Sequence, residues 1–396
     1  MNRWILSAVL SATLGSPLVR AATPPPRPAL DPAVVEQFAT NSMAAFELAP
    51  MAAEQKVHYA FALAGFWMQR ENVLKAGAYF DYAREAAKRN GMQKEEGMGW
   101  FGTALLADRA GELSTALERI GKAAKLFQEA GEKELEVRSL FLQAGLQHRR
   151  GLYADSLRTY THLQTLADGP GDDLMRAECL SEGAMVSYKM GQTNDVALHA
   201  RQALKIFEAH HQANGAADCL KLLGNQAGAE GRSKEAMTFY KQAAAKYEEA
   251  GDLHGQANCL FNMGVSLQAT RDFGPAIATL QEAVGAYTRS ASVTGVGIAN
   301  MALGRTYLLS GNLPKAEAAL DLAKSLLAKS QDLCRLAETE GALADLKVAQ
   351  GDRPAALAHH EAAIRLYEQA GLRGRAAGEK ERLQKTQAGA GSPAPK

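Results

Sequence analysis

The sequence is short of one-sided charge, cysteine and catalytic motifs, and each shortage closes off a class of function. Lys and Arg total 44 against 43 Asp and Glu, a net charge of +1 over 396 residues. So even a balance is not expected of a chain that wraps nucleic acid or clings to anionic lipid. Cysteine is scarce, and Cys179, Cys219 and Cys259 stand at one fixed interval. Equivalent places on neighbouring packed helices lie about 8–10 Å apart, whereas a disulfide needs Cα atoms within about 7 Å. Buried free thiols acting as small apolar packers are therefore expected, with Cys334 outside the register.

Catalytic signatures are missing too. The sequence contains no HExxH, CxxC, GxSxG or phosphate loop. His210-His211 and His359-His360-Glu361 are adjacent residues, which point about 100° apart on a helix and cannot clasp one metal. Gly295-Val296-Gly297 follows no strand. The stretch from Asp168 through Asp172 and Asp173 lacks the ligand spacing of a calcium loop and reads as a turn. No cofactor, metal or enzymatic activity is expected.

Long apolar runs are confined to the start. Arg3 precedes the mostly apolar segment 4–19, which is too short for a comfortable membrane span and is broken by Gly15 and Pro17. Val19-Arg20-Ala21 places small residues at −3 and −1 before Ala22, so a secretory signal over 1–21, cleaved after Ala21, is expected. The alternative is a leader left uncut as an anchor. Cleavage implies a secreted or periplasmic chain with no stable membrane insertion. Pro24, Pro25, Pro26 and Pro28 make a stiff spacer, and Asp31-Pro32 signals a helix start. A single leading helix over 33–48 completes the segment 22–52.

What is present is a steady beat. ADCLKLLGNQAGAEG, ANCLFNMGVSLQATR and GIANMALGRTYLLSG fall in one register, and a fixed period of this kind signals stacked supersecondary units. Gly111, Gly151, Gly191, Gly231, Gly311 and Gly351 mark the turn inside each unit, with Glu71-Asn72 and Arg271-Asp272 standing in twice. Gly91, Gly131, Gly251 and Gly371 mark the turn between units. A Gly just past a helix end closes it in the left-handed conformation. Small residues hold fixed places on the first helix (Ala64, Ala104, Ala144, Gly224, Gly264) and on the second (Ala76, Ala116, Ala236, Ala276). Larger ones fill the hollows, as do Leu140, Leu220, Phe80, Tyr240 and Leu280. Eight antiparallel helix pairs are expected over 53–371, a polar capping helix over 372–387 and a disordered tail over 388–396.

Leu260, Met263, Gly264, Ala276, Leu280 and Ala283 meet the pattern of the tetratricopeptide repeat, which the chain resembles over most of its length. Its period is longer than the family's common one, as in kinesin light chains and Rap-type regulators. The resemblance implies an all-α, right-handed α-solenoid of about eight helix-turn-helix repeats with capping helices. It implies a non-catalytic scaffold holding a protein or peptide in the concave groove lined by first helices. A ligand- or peptide-sensing regulatory module is the alternative. Groove positions follow from the register. Phe61, Phe101, Phe141 and Phe261 share one inward place, either as anchors or as core. Arg109, Arg149 and Lys189 end three successive first helices, where cations complement the helix dipole or meet an acidic peptide. Lys221, Asn225 and Asn262, with Arg305 nearby, match part of the clamp with which some such domains hold a peptide's terminal carboxylate.

Overall fold

In a computed structural model of the protein, residues 31–389 are described, apart from 42, 168, 170, 193 and 194. The leader over 1–21, the proline spacer up to residue 30 and the tail from residue 390 lie outside them. The described residues form 19 helices and no strand. No helix among them is long and apolar enough to cross a membrane.

The chain divides into two compact units, the first ending at Ile206 and the second beginning at Phe207. The first opens with two short helices, Pro32–Thr40 and Met43–Leu48. A single helix over 33–48 was expected. Instead Asn41 is extended (φ −89°, ψ 168°), and Thr40 turns its hydroxyl back onto the Gln37 carbonyl. Such side chains compete with the helix for backbone partners. Asp31 caps the first turn by accepting from the Ala33 N–H at 2.9 Å. Phe46, fully buried, then meets Phe38, Tyr79 and Tyr82 edge-on.

Helix pairs follow in the expected register. In the first unit they are Ala53–Gln69 with Val73–Arg89, Gln93–Arg109 with Leu113–Glu129, and Lys133–Arg149 with Tyr153–Leu166. Asp173–Lys189 comes next, and the unit ends within Val196–Ala209. The second unit carries Ala213–Ala229 with Ser233–Ala250, Leu253–Ala269 with Phe273–Arg289, Val293–Leu309 with Leu313–Lys329, and Leu333–Gln350 with Arg353–Gln369. Arg373–Gln387 stands where the first helix of a ninth repeat would begin.

The turns keep the beat even where glycine is missing. Glu71 and Arg271 take φ of 56° and 64° inside their repeats, and His211, Ala291 and Gln331 take 54°, 54° and 56° between repeats. Those last three stand in the register of Gly91, Gly131 and Gly251, so the hairpin geometry imposes the left-handed residue whatever its side chain. For a non-glycine residue that conformation costs about 1–2 kcal/mol, which packing on both sides must offset.

Packing repeats as well. The second helix ends in a buried aromatic whose ring packs against a glycine eight residues on, in the next first helix: Phe207 on Gly215, Tyr247 on Gly255, Tyr287 on Gly295. A Cβ at Gly255 would stand 2.4 Å from the Tyr247 ring, and one at Gly295 would stand 2.3 Å from Tyr287. Cys179, Cys219 and Cys259 are buried free thiols, while Cys334 is half-buried.

Candidate functional site

The first helices of the second unit carry a row of polar side chains braced from behind by tyrosines of the second helices. Asp218, Lys221 and Asn225 lie on Ala213–Ala229, three to four residues apart and thus on one face. Asn258 and Asn262 repeat that spacing on Leu253–Ala269. The Tyr247 hydroxyl donates to Asp218 Oδ1 at 2.5 Å and accepts from Lys221 Nζ at 2.7 Å. Lys221 Nζ also reaches Asp218 Oδ1 at 2.6 Å. One repeat on, Tyr287 donates to Asn258 Oδ1 at 2.6 Å. Tyr240 donates to Asn225 Oδ1 at 2.9 Å, and that oxygen also accepts from Asn262 Nδ2 at 3.2 Å.

These tyrosines are buried rings with wet tips, an arrangement that fixes a polar partner at the edge of an apolar core. Burial and the neighbouring Asp218 carboxylate push the Tyr247 hydroxyl well above its ordinary range. Burial pushes Tyr287 up to about 12. Cys259, between them, is likewise pushed up to about 12, chiefly by burial. All three therefore stay protonated near neutrality, and the tyrosines stay donors.

Of the anticipated clamp residues, Asn225 and Asn262 meet, while Lys221 and Arg305 each turn to a partner of their own. Lys221 is neutralised by Asp218, and Arg305 donates to the Glu338 backbone carbonyl at 3.2 Å. A terminal carboxylate would meet Asp218 as a like-charged competitor for Lys221. The face that remains is lined by side-chain amides.

The phenylalanines behave differently from a ladder of anchors. Phe61 (3% exposed) and Phe101 (8%) are core residues, the former packed on Phe80 with ring centroids 6.2 Å apart. Phe141 is half-buried and edge-on to Tyr160 at 5.9 Å, and Phe261 is half-buried in the second unit's core. Among the cations, Arg109 and Lys189 are exposed at their helix ends, whereas Arg149 pairs with Asp108 at 2.5 Å. Burial, with the positive charge of Lys189, lowers the His148 pKa. In the loop after Leu166, Asp172 accepts from the Gly169 N–H at 2.9 Å and Asp173 pairs with Arg176.

The bracing tyrosines and Asp218 went unrecognised as site residues in the sequence. A signal was present, since Phe207, Tyr247 and Tyr287 recur at the repeat interval, each eight before a glycine. That pairing marks an aromatic ring laid against bare backbone, and at Tyr247 and Tyr287 the hydroxyl beyond it finds a polar partner.

Compared with models of protein families and with curated sequences, the chain finds no match. Solved structures do resemble it. A signal-transduction ATPase with numerous domains and a tetratricopeptide repeat sensor, from Pyrococcus horikoshii, is 12% identical with a TM-score of 0.58, over 86% of this chain and 54% of that one. The apo form of the quorum sensor NprR from B. thuringiensis is 14% identical with a TM-score of 0.56, over 74% and 82%. A Rap protein complexed with Competence and Sporulation Factor is 16% identical with a TM-score of 0.51, over 85% and 98%. At such identities the likeness speaks for the fold, which agrees with the hairpin register described above: this chain is an all-α solenoid of the tetratricopeptide type.

Proposed function

We propose that the protein is a non-catalytic scaffold that binds an extended peptide or protein segment along the first-helix face of its second unit. The observation that carries this reading is the amide row of Asn225, Asn258 and Asn262, held in place by Tyr240 and Tyr287. Amide side chains carry the same donor and acceptor types as a peptide backbone and so suit an extended segment of varied sequence, the Asn225 oxygen being already filled by Tyr240 and Asn262 and the acceptors on offer being those of Asn258 and Asn262. Bracing from behind reduces the ordering cost on binding. The Rap protein solved with its factor, and NprR as a quorum sensor, lend support to a peptide ligand and to a sensing role as the second reading. Export belongs to the proposal as well and rests on the leader-like segment 1–21.

Selection of displayed random peptides on residues 22–396 tests the site. Enriched peptides should bind the wild-type chain at least about tenfold more tightly than the Asn225→Ala/Asn262→Ala chain, the loss expected for about 1.4 kcal/mol of hydrogen bonding. Equal binding by both would remove the site. Intact mass of the chain recovered after expression with its own leader reads the cleavage after Ala21.

A further inference from the structure

At one register position the last interface of the array carries a buried ionic pair where the others carry uncharged side chains, although one repeat earlier the buried Glu340 also meets Lys324 at 2.8 Å and His359 at 2.6 Å. At the filler position of the second helices stand Phe80, Ile120, Tyr160, Ala200, Tyr240, Leu280 and Leu320, and then His360. His360 is 1% exposed and its Nδ1 lies 2.6 Å from Glu379 Oε1, on the terminal helix Arg373–Gln387. The equivalent position of the preceding first helices holds Gly99, Ser139, Cys179, Cys219, Cys259, Ala299 and Thr339. Glu379 is 5% exposed, and its second oxygen pairs with Arg382 at 2.7 Å. Arg382 also bonds Asp345, and one of its N–H groups donates to the Gly341 carbonyl at 3.3 Å. His360 Nε2 faces the Thr386 hydroxyl at 3.2 Å.

Further along the same helix, Arg375 pairs with Glu338, which Arg335 also holds at 2.7 Å, and Lys380 pairs with Glu368 at 2.7 Å. Apolar contact is slight. Ala376 alone among the terminal helix's apolar residues is buried, against Ala337, Ala363 and Tyr367, with Cys334 and Leu366 beside them.

We infer that the terminal helix is an electrostatic latch: a cap that leaves the last repeat as one piece, while the repeats stay folded, when its carboxylates are neutralised or screened. Fully buried carboxylate pairs hold strongly only while both partners are charged, and removing one leaves the other uncompensated. Burial pushes the Glu379 carboxyl up, but the His360 hydrogen bond and the Arg382 charge outweigh it and hold the group below its ordinary value. Glu338, raised by burial, is held low by Arg335 and Arg375. A carboxyl depressed by folding contributes stability above its unfolded pKa and loses it as pH falls through the folded one. The latch therefore opens only as pH falls below the ordinary carboxylate range.

Release uncovers Cys334, which touches Arg375 Nη1 at 3.2 Å, along with Ala363, Leu366 and Tyr367. The other three cysteines are buried in the repeats, so they report whether the array itself has opened.

Hydrogen exchange of the full chain by mass spectrometry, corrected for intrinsic rates at pH 7 and pH 4, tests this, with Cys334 alkylation at pH 7 in low and high salt. Residues 373–387 should lose protection severalfold at pH 4 while 333–369 keep theirs, as expected of a separate cooperative unit. High salt should speed alkylation of Cys334 and leave Cys179, Cys219 and Cys259 unmodified. Glu379→Gln should release the helix at pH 7, and His360→Leu/Glu379→Leu should hold it closed at both pH values. The latch is overturned if 373–387 and 333–369 exchange together in every condition, or if Glu379→Gln leaves the terminal helix as protected as wild type.

Discussion

Replacing glycine by alanine inside a helix ordinarily stabilises it by about 1 kcal/mol, so Gly102→Ala tests whether the close contacts described above govern the fold. Gly102 lies on Gln93–Arg109 beneath Phe80, and an added Cβ would stand 2.4 Å from the ring's Cδ1 and Cε1 and 2.8 Å from its Cγ. Ordinary contact between carbons begins near about 3.5 Å, so ring or backbone must shift by about 1 Å. Phe80 is 3% exposed and packed against Phe61, which leaves the ring little room to move. Overpacking of that kind costs about 1–3 kcal/mol, which offsets the propensity gain and over most of that range outweighs it. A net loss of up to about 2 kcal/mol is expected. Gly121, on Leu113–Glu129 of the same repeat, has no neighbour within 4 Å of its would-be Cβ. Gly121→Ala should therefore stabilise by about 1 kcal/mol. Urea unfolding followed by circular dichroism should move the midpoints of the two variants in opposite directions at similar slope. If both variants gain stability, the reasoning from close approach is wrong.

Other expectations follow from the same geometry. Ala291→Gly relieves a left-handed alanine (φ 54°) and should stabilise by about 0.5–1 kcal/mol after the unfolded-state entropy is set against it, read by the same denaturation. Tyr240→Phe removes the donor to Asn225 and should destabilise by about 0.5–1.5 kcal/mol, while weakening selected peptides through a looser amide row; unchanged affinity would detach the brace from binding. Folding raises the Tyr287 pKa from the usual 10 to about 12, so this group's contribution is complete below pH 10 and is lost as pH climbs toward 12. Tyr287→Phe should flatten the alkaline fall in stability, and ultraviolet titration at high pH should show the missing phenol. In the native chain at neutral pH a thiol reagent should modify Cys334 alone, and fast labelling of Cys259 would contradict its burial.

Much of the architecture was legible before any coordinates. Helix pairs, their turns and the buried thiols follow from the repeat register, because each hairpin has one apolar side that only a neighbouring hairpin can cover. Ala291, Gln331 and His211 were not read as turn residues, since nothing in an alanine or glutamine announces a left-handed backbone. The break at Asn41 was missed for a related reason: a hydroxyl returning to its own helix is a local choice that period does not record. For the candidate site, the register brought Lys221, Asn225 and Asn262 onto neighbouring first helices but left their partners, Asp218 among them, unnamed. Phe61 and Phe101 share a register position with Phe141 and Phe261, yet the former two are sealed in the core and the latter two only half-covered.

The sequence by itself determined the fold class, the succession of hairpins and the place of a polar helix after the last of them, because these depend on spacing along one chain. Which polar groups are already satisfied was decided only by tertiary structure. Lys221 is held beside Asp218 by a tyrosine 26 residues away, and Glu379 finds His360 across a hairpin 19 residues long. Hydrogen bonds and ion pairs are short-ranged and directional, so their partners emerge only once the helices are docked.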